Sequence, residues 1–169
     1  VMEGTVLGGM PQHVNMPECP GTTQIGDGNV FRENVTVHRA LAAGHATRIG
    51  NRCLLMVGTH AAHDCVVNDH VVLTNGTMLG GHVEVGQRAY LGGGTAVHQF
   101  CRIGRLAMIG GLARVTQDVP PFVTLDGDSA MIVGLNRVGL RRAGFTTTEM
   151  LELKSAYRMI YRSGLMWQE

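Results

Sequence analysis

The reading frame that starts at Ile49 and advances six residues at a time meets twelve aliphatic residues in succession, ending at Val115. At 44% hydrophobic content such a run arises by chance about 5 times in 100,000, so a true period of six governs this stretch. A second column runs in parallel four places later. It holds only small or β-branched residues, from Cys53, Thr59 and Cys65 through Thr95 and Cys101 to Ala113. Ile25, Phe31 and Val37 extend the aliphatic column upstream. Repeats this short cannot bury an apolar edge alone; each must stack on the next, at the ~4.8 Å spacing of paired strands. Composition agrees, because 24 glycines and an aromatic content of 5% suit a narrow, regular interior with tight corners.

The pattern resembles the hexapeptide-repeat family, whose chains wind as left-handed parallel β-helices with eighteen residues per coil. That resemblance implies an all-β solenoid over residues 1–133, with 41–47 looping out. Val119, Pro120 and Pro121 mark the end of the repeat. A helical segment is expected over 134–169, beginning near Asn136. It carries a capping box at Thr146 and Glu149 and an apolar face of Met150, Leu153, Ala156, Tyr157 and Ile160.

If eighteen residues make a coil, residues eighteen apart lie one above another. Ala62, His63 and Asp64 then sit beneath Gly80, Gly81 and His82, which sit beneath His98, Gln99 and Phe100. Three histidines fall into a patch roughly 10 Å tall. A histidine beside a carboxylate is held in one tautomer and suits a general base, which makes His63 and Asp64 the candidate pair. Gly81 above them offers a backbone N–H where an oxyanion could form. His82 and His98 would wall the trough, and His60 lies near enough to add a hydrogen bond. His13, His38, His45 and His70 lack such company and read as surface or loop residues.

The motifs GTHAAHDC (58–65), GGTAVHQF (93–100), GGLARVTQDVPPFV (110–123), GLNRVGLRRAGF (134–145) and AYRMIYRSG (156–164) occur in this order. Together they make the chain similar to the UDP-N-acetylglucosamine O-acyltransferase family of lipid A synthesis. The resemblance implies transfer of an (R)-3-hydroxyacyl group from acyl carrier protein to the sugar 3-hydroxyl, with His63 as base, Asp64 as its orienting partner and Gly81 as oxyanion donor. It further implies substrate contacts at His82, His98 and Gln99, and a nucleotide region at Asn136 and Arg142. By the same resemblance Gly111 is expected at the position that gauges acyl length. A homotrimer with sites between chains follows by the same resemblance. Cofactors are expected to be none, the donor being the carrier's phosphopantetheine thioester.

Other features are read beside that family. The loop at Gln12, His13, Val14 and Asn15 departs from the family's usual Q-D-L-K, and Val138 and Ala143 replace a glutamate and an arginine. These departures keep open an acyltransferase acting on another amino-sugar nucleotide, by N-acylation, or a non-catalytic solenoid that binds carrier protein or sugar nucleotide. Zinc ligation by the H-x-x-H-D-C run at His60–Cys65 is not expected, because Cys65 falls in the inward column. All four cysteines are read as thiols. A net charge of +1 gives no nucleic-acid footprint. No ~20-residue apolar run exists, so no stable membrane insertion is expected and the cytoplasm is the default compartment. Arg102, Arg105, Arg141 and Arg142 could meet an acidic carrier protein. The chain begins in mid-pattern without methionine and is expected to be a fragment.

Overall fold

A computed structural model describes residues 1–16 and 18–163; the end of the expected helical segment, 164–169, and the last residue of the AYRMIYRSG motif lie outside the described residues. The chain is a left-handed parallel β-helix of triangular section. Its first face stacks six strands in the order Val6–Gly9, Thr36–His38, His60–Ala61, Met78–Leu79, Ala96–Val97 and Arg114–Val115. The second face stacks five, from Thr22–Ile25 to Arg102–Ile103, and the third runs from Val30–Phe31 up to Val123–Leu125. Ile132–Leu135 closes the third face antiparallel to Val123–Leu125.

Register follows the sequence period. His60 pairs with Met78 and Met78 with Ala96, and Ala61, Leu79 and Val97 stand in a second column beside them. The aliphatic column from Ile49 to Val115 is buried throughout. The small column is buried too, and it does more than fill space. Thr59 and Thr77 donate hydroxyl hydrogen bonds to the Met56 and Thr74 carbonyls at 2.7 and 2.8 Å, and the Cys65 thiol reaches the Gly80 carbonyl at 3.1 Å. Buried corner carbonyls thus find partners inside the prism. Ile25 departs from the expected column: it is 37% exposed, because it lies on the terminal strand of its face with no rung beneath it.

Two rungs are longer than the rest. The segment 10–21 lies between Val6–Gly9 on the first face and Thr22–Ile25 on the second, and residues 41–45 leave the coil between Thr36–His38 and Ala46–Ile49. The latter excursion is shorter than expected, since Ala46 and Thr47 already pair with Thr22 and Thr23. Pro120 and Pro121 tighten a corner without ending the stack; Met108 still pairs with Thr124 and Ile109 with Leu125. Beyond the prism, α1 (Arg137–Arg142) starts on Asn136, whose Oδ1 accepts from Gly139 N at 2.9 Å. Helix α2 (Thr147–Arg162) carries the expected capping box. Of its apolar face, Tyr157 packs against the core, whereas Ala156 and Ile160 stay exposed. No described helix is long and apolar enough to cross a membrane.

Candidate active site

The corner between the first and second faces brings the three triplets together. His63 Nδ1 lies 2.9 Å from Asp64 Oδ2, and both side chains are 9% exposed. Asp64 sits at φ 60°, in the left-handed region that aspartate tolerates better than most residues. Gly81 lies directly over the imidazole. A Cβ there would stand 2.7 Å from His63 Nε2 and collide with Cε1, so only glycine lets the backbone come this close. The Gly81 carbonyl accepts from Phe100 N at 3.0 Å, while its N–H takes no part in the rung-to-rung hydrogen bonds.

His82 completes this floor. Its Nε2 is 3.8 Å from Asp64 Oδ2, its ring meets that of His63 edge-on at 5.2 Å, and Phe100 stacks on its other face at 4.6 Å. His98 and Gln99 are exposed one rung higher and line the same open trough. Among the described residues, His63, Asp64 and His82 form the one group whose donor atoms, all within 4.8 Å, could hold a cation. The His63–Asp64 hydrogen bond already accounts for most of that proximity. Cys65 is not a fourth donor: it points inward, and burial pushes its thiol up to about 12.

His60 lies beside the trough with Nδ1 2.7 Å from Thr36 Oγ1. Burial, helped by His38 and then His63, pulls its imidazole down to about 4, which keeps the ring neutral. The surface reading of His38 is wrong. It is 8% exposed and meets His60 edge-on at 4.8 Å, because Thr36 pairs with His60 and so sets His38 beneath Ala62. His13 also has company: the 10–21 excursion carries it to 5.8 Å from the His63 ring, across the trough. The rung that carries the 41–45 excursion is six residues longer than eighteen, since Thr36 pairs with His60, and allowing for that excess places His38 at the site; His13 stands in the loop where the chain departs from the family's Q-D-L-K, but no spacing sets that loop against His63.

Three expected site residues lie elsewhere in the chain. Asn136 and Arg142 line a groove on the third face together with Arg52, Arg88 and Tyr90. The Asn136 amide is largely committed, donating to Leu106 O at 2.9 Å while it caps α1. Gly111 sits at the corner between the third and first faces, above Gly93.

The sequence and the fold have counterparts among known proteins. Residues 118–169 match the family model described as UDP N-acetylglucosamine O-acyltransferase, domain 2. An acyl-[acyl-carrier-protein]–UDP-N-acetylglucosamine O-acyltransferase of Gloeothece citriformis is 44% identical over 98% of this chain and 60% of its own length. Its counterpart in Halorhodospira halophila is 48% identical over 98% of this chain and 64% of its own. Over the residues compared, the chain belongs to the UDP-N-acetylglucosamine O-acyltransferase family. A solved member of the family from Bacteroides fragilis superposes with a TM-score of 0.95 at 37% identity, covering 98% of this chain and 65% of that one. The Arabidopsis UDP-N-acetylglucosamine acyltransferase gives 0.94 at 38%, over 99% and 59%. The chain therefore spans about three-fifths of the length of the family members it matches.

Proposed function

We propose that the chain is the solenoid core of an enzyme that moves an (R)-3-hydroxyacyl group from acyl carrier protein to the 3-hydroxyl of UDP-N-acetylglucosamine, opening lipid A synthesis. The observation that carries this reading is a hydrogen-bonded His63–Asp64 pair directly beneath the bare Gly81 backbone. With Asp64 accepting from Nδ1–H, the Nε2 lone pair faces the trough and can take the proton of the sugar hydroxyl. The oxygen attacks the thioester carbonyl, and the Gly81 N–H steadies the tetrahedral oxyanion. Collapse breaks the C–S bond, and the imidazolium returns its proton to the departing pantetheine thiolate. The protein side of this scheme needs no cofactor.

Asn136 and Arg142 open on a different face from His63, which supports a site shared between chains of a homotrimer. In that arrangement the Asn136 cap would set α1 so that Arg142 meets the nucleotide phosphates. The bare corner at Gly111 leaves room for a long acyl tail. Arg102, Arg105, Arg141 and Arg142 supply charge for the acidic carrier, and the Arg105 guanidinium rests 4.8 Å over the Phe122 ring. Both substrates are water-soluble, consistent with a cytoplasmic site of action.

The test is a mass spectrum of the product formed from UDP-N-acetylglucosamine and a 3-hydroxyacyl carrier protein. The expected species is the mono-ester on the sugar. An amide formed only on a different amino-sugar nucleotide would overturn the acceptor, and no product with any acceptor would overturn the activity. Replacing His63 with alanine should lower kcat by about 10²–10⁴. Undiminished turnover would remove His63 from the mechanism.

A further inference from the structure

We propose that Thr47 is a positioning residue for the His63–Asp64 pair, acting with the Leu41 backbone amide that the neighbouring excursion presents; this rests on His63 being the base. The inference comes from one broken regularity. At corner after corner the left-handed residue sends its N–H to a backbone carbonyl of the rung beneath: Asn34 to Glu3, Arg52 to Asp27, His70 to Asn51, His82 to His63, Phe100 to Gly81 and Leu112 to Gly93. Asp64 is the exception. Its N–H goes instead to the side-chain hydroxyl of Thr47, at 2.8 Å.

The reason lies in the rung below. There the chain leaves the coil after Ala40 to make the 41–45 excursion, and returns at the strand Ala46–Ile49. Thr47, fully buried on that strand, supplies the acceptor that a regular corner would draw from the backbone. The excursion also turns an amide toward the site: Leu41 N donates to Asp64 Oδ2 at 3.1 Å, the same oxygen that faces His63 Nδ1 at 2.9 Å. Asp64 is therefore gripped twice, at its backbone by Thr47 and at its carboxylate by Leu41.

These two grips fix different freedoms. The first holds the backbone in the left-handed conformation that directs the side chain into the corner. The second leaves the carboxylate one orientation in which Oδ2 meets both the amide and the imidazole. Without the grips, Asp64 can turn its carboxylate toward His82, whose Nε2 already stands 3.8 Å away. His63 would then lose the partner that fixes its tautomer, although nothing that touches substrate would have changed. The predicted signature is a loss in kcat with substrate binding spared.

The experiment compares Thr47→Val, which keeps the shape and removes the acceptor, with Thr47→Ser, which keeps the hydroxyl. Leu41→Pro removes the amide hydrogen independently. We expect Thr47→Val and Leu41→Pro each to lower kcat by roughly 10–100-fold with KM for both substrates within about twofold, while Thr47→Ser stays near the parent. Nitrogen-15 histidine NMR adds a readout that does not depend on turnover: the hydrogen-bonded His63 Nδ1 proton should be present in the parent and in Thr47→Ser and lost in the other two. Parent-like kcat in Thr47→Val and Leu41→Pro overturns the proposal, as does the absence of that proton from the parent protein. Should His63→Ala itself retain full turnover, the fault lies with the assignment of the base and not with the grip on Asp64, which the NMR signal still reports.

Discussion

An alanine at position 81 would push the His63 imidazole from its place, because the new methyl would sit 2.7 Å from Nε2 and closer still to Cε1. The Gly81 backbone does not use a left-handed conformation, and the three atoms nearest the added methyl all belong to the His63 ring. Gly81→Ala should therefore keep the thermal midpoint within a few degrees of the parent while lowering kcat by at least about 100-fold; a fully active variant would show that the imidazole and the Gly81 backbone do not work together. His60 and His38 act on stability. Burial first, and then neighbouring imidazoles, lower both below the ordinary histidine value of 6.5, His60 to about 4. Folding thus favours their neutral forms. Their contribution is complete above pH 6.5, falls as pH drops through that value toward about 4, and levels off below. Melting temperature followed from pH 7 to 4 should decline in that window, and the double replacement of His38 and His60 by asparagine should flatten the decline.

The elements show what the sequence could and could not disclose. From Ile49 to Val115 every strand, inward column and stacked triplet was legible, because one period of six fixes both the face of each residue and its neighbour eighteen places on. His63 beneath Gly81 follows from that period alone. Below Ile49 the excursions at 10–21 and 41–45 shift the register, and stacking by eighteen fails there. That is why His38 was misread and why Thr47 and Leu41 did not stand out. An excursion has no period, so its tertiary contacts, such as His13 against His63, are set by the path of the loop rather than by spacing. Helix α2 was legible in its cap, where Thr146 and Glu149 lie three apart, but the packing of its apolar face depends on what it meets, and only Tyr157 finds the core.

Over the whole molecule, contacts run mainly between adjacent rungs, so stability is close to a sum over neighbouring interfaces. The cysteines report on this. Cys19 is exposed, whereas Cys53, Cys65 and Cys101 are buried thiols, each raised by burial. In native protein a disulfide reagent should label Cys19 within minutes and the three interior thiols only as the rungs carrying them open. Four thiols reacting at one rate would show that the prism is not closed as described. An ideal stack of identical turns also has translational symmetry: every storey presents the same corner, and no address along the axis is chemically distinguished. The two irregular turns break that symmetry on consecutive storeys beneath a single corner. What looks like a defect in the lattice is what allows one imidazole among several to differ from its fellows.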